Sequence, residues 1–366
     1  MTYILIGIGI LGWIASFIVL YFYIKEKKKS RCLKEKQNND PKVVVIGGGT
    51  GQSVFLRGLK HYTQNITAVV TVADDGGGSG VLREDLGMLP PGDIRNCLLA
   101  LANIEPTMDE VMKYRFTEGA LKGQSFGNLF LAAMNGLYGN FEVAVYKMSQ
   151  IFAITGKVLP ITLEDINLIA KLKNGKFIKG ESSIPQEVKK QQSGIDKIYL
   201  DPIDVKPLDE VISSIENADI IIMGPGSLYT SIIPNLLVEG VVEAIDKSKA
   251  PKVYISNIMT QPGETDNYNV LEHINAIIKH TNKKIIDYVI VNNEILSTDI
   301  LKKYENDGAN QVLLDKYQKE GLKKLGVKSI EENLIEVKSN YIRHNAKQIS
   351  NIVVNLALSH KNEASK

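Results

Sequence analysis

The run Lys42-Val-Val-Val-Ile-Gly-Gly-Gly-Thr-Gly51 decides the fold class of this 366-residue chain. A short β-branched run that ends in glycine is typical of a buried parallel strand. The amphipathic stretch Gln52–His61 predicts a helix, and Ile66–Val72 predicts a second strand. This order of strand, glycine loop, helix and strand is a βαβ unit. We therefore expect an α/β protein with a Rossmann-like, open, mostly parallel sheet and helices on both faces.

The α/β rhythm continues along the chain. Further strands are predicted at Asp219–Met223, Lys252–Ile258 and Asp287–Asn292, and helices at Asp93–Asn103, Thr107–Phe116, Asn128–Asn135 and Asn345–Leu358. Two short strands, Lys176–Ile184 and Ile195–Leu200, are expected to form a hairpin at the edge. Because ligands bind beyond the carboxyl ends of the strands in an open parallel sheet, the loops that follow these strands should converge on one site.

The amino-terminal segment predicts a membrane anchor. Tyr3–Ile24 is uninterrupted and apolar, and at 1.5 Å per residue about 22 residues span roughly 30 Å of hydrocarbon. A lysine-rich stretch follows this run, which by the positive-inside rule keeps that flank cytoplasmic. We predict a single-pass anchor at 1–24, a basic juxtamembrane linker at 25–40 and one α/β domain at 41–366. The protein is thus expected at the cell membrane with its domain in the cytoplasm.

The charge distribution and the cysteine content argue against a nucleic-acid-binding protein and against a disulfide-rich or metal-binding cysteine framework. Residues 25–36 carry seven basic and two acidic side chains, a net charge of +5, so the net charge of +2 for the whole chain leaves −3 for the rest. The domain therefore lacks the basic bias of a nucleic-acid-binding protein, and no nucleic-acid partner is expected. Cys32 and Cys97 form neither a disulfide framework nor a metal motif, which fits a reducing compartment.

The glycine loop predicts a phosphate-binding site. Glycine lets the backbone approach a phosphate closely, and the helix that follows offers unpaired N–H groups and the positive end of its dipole. The loop is not a dinucleotide fingerprint, because Gln52 stands where the third glycine belongs, and it lacks the Gly-Lys-Ser/Thr of a P-loop. The predicted ligand-binding positions in this loop are Gly47, Gly48, Gly49, Thr50 and Gly51.

Other polar loops add candidates. Asp74 and Asp75 end the second strand, where carboxylates can hold Mg²⁺ or accept hydrogen bonds from a ribose, and the glycines after them suit an anion nest. We regard both aspartates as candidate catalytic residues and Asp75 as the candidate metal ligand; Mg²⁺ is the one cofactor we consider. Asp93 is interpreted as a helix cap. Further ligand-binding candidates lie in loops that open helices: Arg95, Ser125, Asn128, Gly226 and Ser227.

The quoted runs resemble the YvcK/CofD family, also called the gluconeogenesis factor family. The resemblance rests on GGGTG, VTVADDGG, PPGDIRN, SFGNLFLAAM, GKVLPIT, GPGSLYTSIIPNLL and NIMTQPGET, and it is closer to the YvcK branch. Two positions depart from the family pattern: Gly78 replaces a serine of DDGGSSG, and Gln124 replaces the histidine of GHSxGN. The apolar amino terminus is an addition to that pattern.

The resemblance implies two alternative functions. In the YvcK branch it implies binding of UDP-sugars such as UDP-N-acetylglucosamine by a regulatory protein needed for cell shape, wall synthesis and growth on gluconeogenic carbon. Tyr304 and Arg343 then match the UDP-sugar-binding residues of that branch. In the CofD branch it implies an Mg²⁺-dependent phospholactyl-type transferase that uses a nucleotide-activated donor. A homo-oligomer and cell-wall synthesis proteins remain open as partners, and whether the chain is an enzyme is undecided.

Overall fold

A sheet of seven parallel strands forms the centre of the computed structural model, which describes residues 40–338 and 341–364. The strand β1 (Val43–Gly47) lies between β2 (Ile66–Val70) and β7 (Ile220–Met223). All five residues of β1 are buried. A parallel strand that is covered on both faces reads as a continuous hydrophobic run, which explains the sequence of β1. The predicted α/β class and parallel sheet are confirmed.

The sheet order is β10-β9-β8-β7-β1-β2-β3, and helices flank it. The other strands in chain order are β3 (Lys157–Pro160), β4 (Asn167–Leu172), β5 (Phe177–Lys179), β6 (Ile195–Asp201), β8 (Lys252–Ile255), β9 (Tyr288–Asn292), β10 (Lys328–Glu332), β11 (Ile335–Lys338) and β12 (Tyr341–His344). The α-helices are α1 (Gly49–Leu59), α2 (Gly77–Leu86), α3 (Gly92–Leu101), α4 (Pro106–Lys113), α5 (Phe126–Tyr138), α6 (Phe141–Ile151), α7 (Ile184–Gln191), α8 (Asp209–Glu216), α9 (Ile233–Leu236), α10 (Val241–Lys247), α11 (Val270–Thr281), α12 (Thr298–Asn306), α13 (Lys316–Leu325) and α14 (Ala346–Ala364).

The strand order reverses direction between β1 and β7. From β1 the chain builds β2 and β3 on one side, and it then crosses to β7 and continues to β10 on the other. The loops after β1 and β7 therefore meet at this switch point. They touch so closely that a Cβ atom at Gly51 would lie 2.8 Å from the carbonyl oxygen of Pro225, and one at Gly226 would lie 3.2 Å from that of Gly48.

A second sheet corrects the predicted edge hairpin. The strands β5 and β6 exist, but each pairs antiparallel with β4, which lies between them, and the helix α7 separates them in the chain. The predicted strand Lys176–Ile184 is shorter than expected, since Ile184 begins α7. The hairpin prediction was therefore wrong: the three strands form their own sheet, and they are not an extension of the parallel one.

The glycines after Asp75 also differ from expectation. They begin the helix α2 at Gly77, so this stretch is not a free-standing loop. Glycine is a poor helix former, but two of these positions have no space for a side chain. A Cβ atom at Gly80 would lie 2.1 Å from the carbonyl oxygen of Asp75, and one at Gly78 would lie 2.8 Å from Oε1 of Gln124.

The predicted anchor at 1–24 and nearly all of the linker at 25–40 lie outside the described residues. Within the described part, no single helix has both the length and the apolar character to cross a membrane. One bent pair, Leu228–Leu236 with Val241–Lys247 at 77°, meets the length and composition test jointly.

Gln52 explains why the third glycine of a dinucleotide fingerprint is absent. Its side chain is fully buried, and Nε2 donates to the carbonyl oxygens of Val45 at 3.0 Å and Val69 at 3.2 Å. The fingerprint glycine serves close helix–strand packing, whereas here a buried amide joins α1 to β1 and β2 by hydrogen bonds.

We expect Gln52→Ala to lower the free energy of unfolding by about 2–4 kcal/mol, because it removes two buried hydrogen bonds and leaves a cavity. Urea denaturation measures this change. The matched control is Gln186→Ala on the exposed face of α7. Equal effects of the two substitutions would contradict the role assigned to Gln52.

Candidate functional site

A cleft of about 510 Å³ opens at the carboxyl ends of β1, β7 and β8, as expected from the switch point. We call it the cleft, and four parts of the chain form it: the glycine loop, the loops after β7 and β8, and the α12–β12 region. The residues that line it are Gly48, Gly49, Thr50, Gly51, Val54, Pro225, Gly226, Ser227, Ser231, Asn257, Ile258, Met259, Thr260, Gln261, Pro262, Tyr304, Asp307, Ala309, Ile342, Arg343 and His344.

The glycine loop supplies backbone donors to the cleft. The helix α1 begins at Gly49, which has φ of 70°, a left-handed conformation that favours glycine. Gly48 precedes it and has no side chain to cap the helix. The first N–H groups of a helix lack partners inside the helix, and together with the dipole they attract an anion. Thr50 and Gly51 line the cleft in this first turn, so the predicted phosphate cradle faces the cavity.

Asp93 anchors the glycine loop from behind. Its Oδ2 accepts a hydrogen bond of 2.7 Å from the N–H of Gly49. The interpretation of Asp93 as the cap of its own helix was wrong, because Pro91 is the N-cap of α3 and Asp93 lies inside the first turn, from which its side chain reaches the glycine loop. This hydrogen bond occupies one N–H group of the first turn of α1 and fixes the position of the remaining N–H groups of that turn.

Two amides hold the opposite wall, and the sequence reasoning missed both. Nδ2 of Asn257 donates to the carbonyl oxygen of Gly226 at 3.1 Å, and Nε2 of Gln261 donates to Oγ of Ser227 at 2.6 Å. These bonds tie the loop after β8 to the loop after β7. The sequence did carry a signal for both residues. They follow a buried strand, and loops at the carboxyl ends of parallel strands are where ligands bind, which is the rule that identified the other loops.

Tyr304 and Arg343 reach the cleft from distant parts of the sequence. The N–H of Ile342 donates to Oη of Tyr304 at 2.7 Å, so this tyrosine fastens the β11–β12 hairpin to α12. Tyr304 also packs in a small cluster with Ile258 and Ile342. Arg343 is exposed; its Nη1 donates to the carbonyl oxygen of Ile342 at 3.2 Å, and its Cζ lies 5.5 Å from the ring centre of Tyr341. That bond uses one of the five guanidinium N–H groups.

His344 completes this wall as a neutral side chain. Nε2 of His344 lies 3.0 Å from the carbonyl oxygen of Ser256. A carbonyl can only accept, so Nε2 carries the proton. Burial lowers the pKa of His344 to about 4, against a smaller opposing effect of the Ser256 carbonyl. The imidazole is therefore neutral near neutral pH and adds no charge to the cleft.

The remaining predicted site residues lie outside the cleft. Both carboxylate oxygens of Asp75 accept backbone hydrogen bonds of 2.9 Å, from Glu181 and from Ser182. Oδ1 of Asp74 accepts one of 2.9 Å from Gly76. Asp75 thus holds the segment between β5 and α7, while Asp74 stabilises the turn before α2.

Arg95, Ser125 and Asn128 belong to a buried polar group behind the glycine loop. Oγ of Ser125 accepts a hydrogen bond of 3.2 Å from the N–H of Asn128 and caps α5. A Cβ atom at Gly127 would lie 2.9 Å from Cδ of Arg95, so α5 packs directly on this arginine. Among the described residues, Nε of Arg95 and Oδ1 of Asn128 have no hydrogen-bond partner. Their role as ligand-binding residues stays a prediction, at a place apart from the cleft.

Two buried carboxyl groups near Asp74, those of Asp93 and Glu181, have raised pKa values. Burial raises the pKa of Asp93 to about 6, and the charge of Asp74 adds to the effect, while the N–H of Gly49 and the charge of Arg95 oppose it. Burial raises the pKa of Glu181 to about 8, aided by Asp74, Glu264 and Asp75. Such shifts are common at functional sites, although structural networks also produce them.

The carboxyl groups of Asp74, Asp75, Asp93 and Glu181 are not arranged as a metal centre. In the described ranges, no group of three or more His, Cys, Asp and Glu side chains is arranged to share a metal ion. The oxygens of Asp75 already accept backbone N–H groups, and Mg²⁺ demands a near-octahedral oxygen shell. The arrangement does not fit the expected Mg²⁺ site at Asp75, and we derive no step that uses a metal.

The raised pKa of Asp93 gives a pH-dependent stability. Because the folded protein holds this proton more tightly than the unfolded chain, ionising Asp93 destabilises the fold progressively from about pH 4 to about pH 6. The full effect is about 3 kcal/mol above pH 6. We expect Asp93→Asn to reduce the loss of stability between pH 4 and pH 6 and to raise the free energy of unfolding at pH 7, since the amide oxygen still accepts a hydrogen bond from the N–H of Gly49.

Denaturation at several pH values tests this expectation, with the exposed Asp85→Asn as the matched control. A pH profile for Asp93→Asn that runs parallel to that of the unsubstituted protein would show that Asp93 titrates as in the unfolded chain.

Comparison with known proteins supplies the family. The sequence matches the family described as "2-phospho-L-lactate transferase CofD" over residues 43–335. A relative from Thermoanaerobacterium thermosulfurigenes, named "Putative gluconeogenesis factor", is 59% identical over 318 residues, which are 87% of this chain and 97% of the relative. The "Gluconeogenesis factor" of Bacillus subtilis strain 168 is 45% identical over 317 residues, 86% of this chain and 98% of that protein. A crystal structure from Bacillus halodurans superposes with a TM-score of 0.82 at 45% identity and covers 86% of this chain and 99% of its own. The chain therefore belongs to the CofD family and is similar over most of its length to proteins named gluconeogenesis factors.

Proposed function

We propose that this protein binds a nucleotide-sugar of the UDP-N-acetylglucosamine type in the cleft and acts as a regulatory protein. The observation that carries the proposal is that the glycine loop, Tyr304 and Arg343, which lie far apart in sequence, line the same cavity. The volume of about 510 Å³ falls in the range of small-molecule sites.

The chemistry of the residues that line the cleft suits such a ligand. The backbone N–H groups of the first turn of α1 favour a diphosphate, and the guanidinium of Arg343 can pair with the same phosphates through its N–H donors. The ring of Tyr304 offers a face for stacking on a base. The amides Asn257 and Gln261 hold the loops after β7 and β8 together at this site.

The names of the relatives guide the proposed cellular role. Similar proteins are named gluconeogenesis factors. We propose that this protein is likewise needed for growth on gluconeogenic carbon sources, and that nucleotide-sugar binding connects it to cell shape and cell-wall synthesis. A homo-oligomer and enzymes of wall synthesis are the partners to be sought.

We further propose that 1–24 anchors the protein in the cell membrane, with the basic linker 25–40 and the domain on the cytoplasmic side. The support is the uncharged apolar run followed by a net charge of +5. Anionic lipids of the inner leaflet attract such a basic juxtamembrane stretch.

A transferase that uses a nucleotide-activated donor is the second candidate. It is favoured by the description of the matching family and by the raised pKa values of Asp93 and Glu181 next to Asp74. Release of nucleotide from an activated donor by the purified protein would support it over simple binding.

We expect Arg343→Ala to weaken UDP-N-acetylglucosamine binding at least tenfold, equivalent to about 1.4 kcal/mol, because it removes the charged donor at the phosphate end of the ligand. Isothermal titration calorimetry measures the affinity. Arg57→Ala on the exposed side of α1 is the matched control, since it removes an arginine that does not line the cleft. An unchanged affinity of the Arg343 variant would contradict the assignment.

We expect the full chain to sediment with the membrane fraction, and a chain that begins at Pro41 to stay in the supernatant, because only the first carries the apolar run. A chain that keeps 1–24 but has its seven basic linker residues replaced by serine separates the two contributions. Sedimentation of the Pro41 chain with membranes would contradict the proposed anchor.

A further inference from the structure

The edge of the parallel sheet opposite the cleft carries a concentration of lysines. Parallel strands all begin at this amino edge, and the helices that precede them end there. The chain segments that lead into β1, β7, β8, β9 and β10 therefore lie side by side, and we call them the lysine edge. They are residues 41–42, 216–219, 246–252, 281–287 and 323–328.

Hydrogen bonds between neighbouring segments join the lysine edge into one surface. The N–H of Lys42 donates to Oδ2 of Asp219 at 2.8 Å, and the N–H of Lys252 donates to Oδ2 of Asp287 at 2.9 Å. The N–H of Lys328 donates to the carbonyl oxygen of Asp287, also at 2.9 Å. Since β7 lies beside β8 in the sheet, these contacts run continuously from β1 to β10.

The lysine edge is basic, although the chain outside 25–36 has a net charge of −3. Its segments hold nine lysines and four acidic side chains, a net charge of +5. One of the acids, Asp246, pairs with Lys283 at 2.6 Å, and two others accept the backbone hydrogen bonds described above. Seven of the nine lysines are exposed: Lys42, Lys247, Lys249, Lys284, Lys323, Lys324 and Lys328.

Stabilisation of helix ends explains only some of these lysines. Lys323 and Lys324 lie in the last turn of α13, where cations complement the helix dipole. Lys42, Lys249 and Lys284 lie outside the helices, and within the described part of the chain none of these three side chains forms an ion pair. Their charges are therefore available to an external partner.

The charges of the domain are unevenly distributed. The +5 of the lysine edge leaves −8 for all other residues outside 25–36. Asp74 and Asp75 follow β2 at the carboxyl edge of the sheet, and Asp93 lies against the glycine loop at the same edge. A molecule with charges separated in this way turns its basic edge toward an anionic surface.

We propose that the lysine edge docks on the anionic inner surface of the cell membrane. The predicted linker 25–40, which is itself basic, leads directly into Pro41 and Lys42, so the chain enters the domain at this edge. Anionic lipids attract lysines near the bilayer surface. The segments contain no arginine, the side chain best suited to the paired hydrogen bonds of nucleic-acid recognition, which favours a lipid surface over a nucleic acid.

The docking deepens the membrane attachment given under the proposed function and rests on it. Docked in this way, the domain keeps the cleft, at the opposite edge of the sheet, open to the solvent. Salt screens exposed charges beyond about 8 Å at physiological ionic strength, so the lysine edge orients an anchored domain but holds a free one weakly. The chain that begins at Pro41 is therefore still expected in the supernatant.

The test uses the full chain reconstituted into vesicles of phosphatidylcholine, alone or with about 30% phosphatidylserine. A reagent acetylates exposed lysines, and mass spectrometry measures the rate at each position. At about 0.05 M salt we expect Lys249 and Lys284 to react about threefold or more slowly when phosphatidylserine is present, and at about 0.5 M salt this difference should vanish through screening. Lys302, an exposed residue of α12 on the cleft side, should react equally in both lipids.

A pair of variants assigns the protection to the lysine edge. Lys249→Glu combined with Lys284→Glu should abolish the lipid-dependent protection of Lys324, because the pair of substitutions reverses two of the charges that face the bilayer. Lys189→Glu combined with Lys302→Glu is the matched control, since it changes the net charge of the chain equally at exposed positions outside the lysine edge. The control should leave the protection of Lys324 unchanged.

Equal rates for Lys249 and Lys284 in the two lipids, or an equal loss of protection in both double variants, overturn the proposal. Protection of these lysines by duplex DNA and not by vesicles also overturns it and assigns the edge to nucleic acid. If the full chain does not stay with vesicles of phosphatidylcholine alone, the proposed anchor fails. The same rates, measured with phosphatidylserine vesicles added to the free chain, then still decide whether the lysine edge binds anionic lipid.

Discussion

The glycine loop and the loop after β7 pack against each other at the switch point of the sheet, and this contact sets the geometry of the cleft. Gly51 packs on the carbonyl oxygen of Pro225, and Gly48 lies under Gly226, with no space for a side chain at Gly51. The hydrogen bond from Gly49 to Asp93 holds the same loop from behind. Because both loops leave the sheet at its switch point, their close approach fixes the floor of the cleft and aims the first turn of α1 into it.

Much of this arrangement could be predicted from the sequence, because it follows from local patterns. A β-branched run ending in glycine predicted β1, and short apolar runs predicted its parallel neighbours. The rule for carboxyl ends placed Gly226 and Ser227 near the glycine loop. The strand β4 was missed although its residues alternate between half-buried and buried. The β4–β5 hairpin did carry a local signal, the Asn174-Gly175 turn between two short strands, and that signal was not used. The pairing of β4 with β6 spans α7 and leaves no local signal. The hairpin prediction failed for that reason.

The candidate site, like the fold, could be predicted only in part from the sequence. The backbone cradle was readable from glycine content, but Tyr304 and Arg343 came from a family resemblance, since no spacing rule links them to residue 48. Asp74, Asp75 and Asp93 were read as ligands or caps because carboxylates at strand and helix ends usually are. The structure instead uses Asp75 and Asp93 to bind backbone N–H groups of neighbouring segments. Long-range hydrogen bonds of this kind depend on the tertiary fold and cannot be inferred from one sequence.

The buried acids also determine how much negative charge surrounds the glycine loop, for which we propose phosphate binding. Asp93 touches the glycine loop, yet burial and Asp74 raise its pKa to about 6 and the N–H of Gly49 offsets part of its charge. Glu181 holds its proton up to about pH 8, and burial raises the pKa of Glu264 to about 7. These carboxyl groups therefore oppose a bound diphosphate less than their number suggests. If the cleft binds the proposed diphosphate, the anion raises the proton affinity of these carboxyl groups, and by linkage its own affinity then increases as the pH falls from about 8 to about 6.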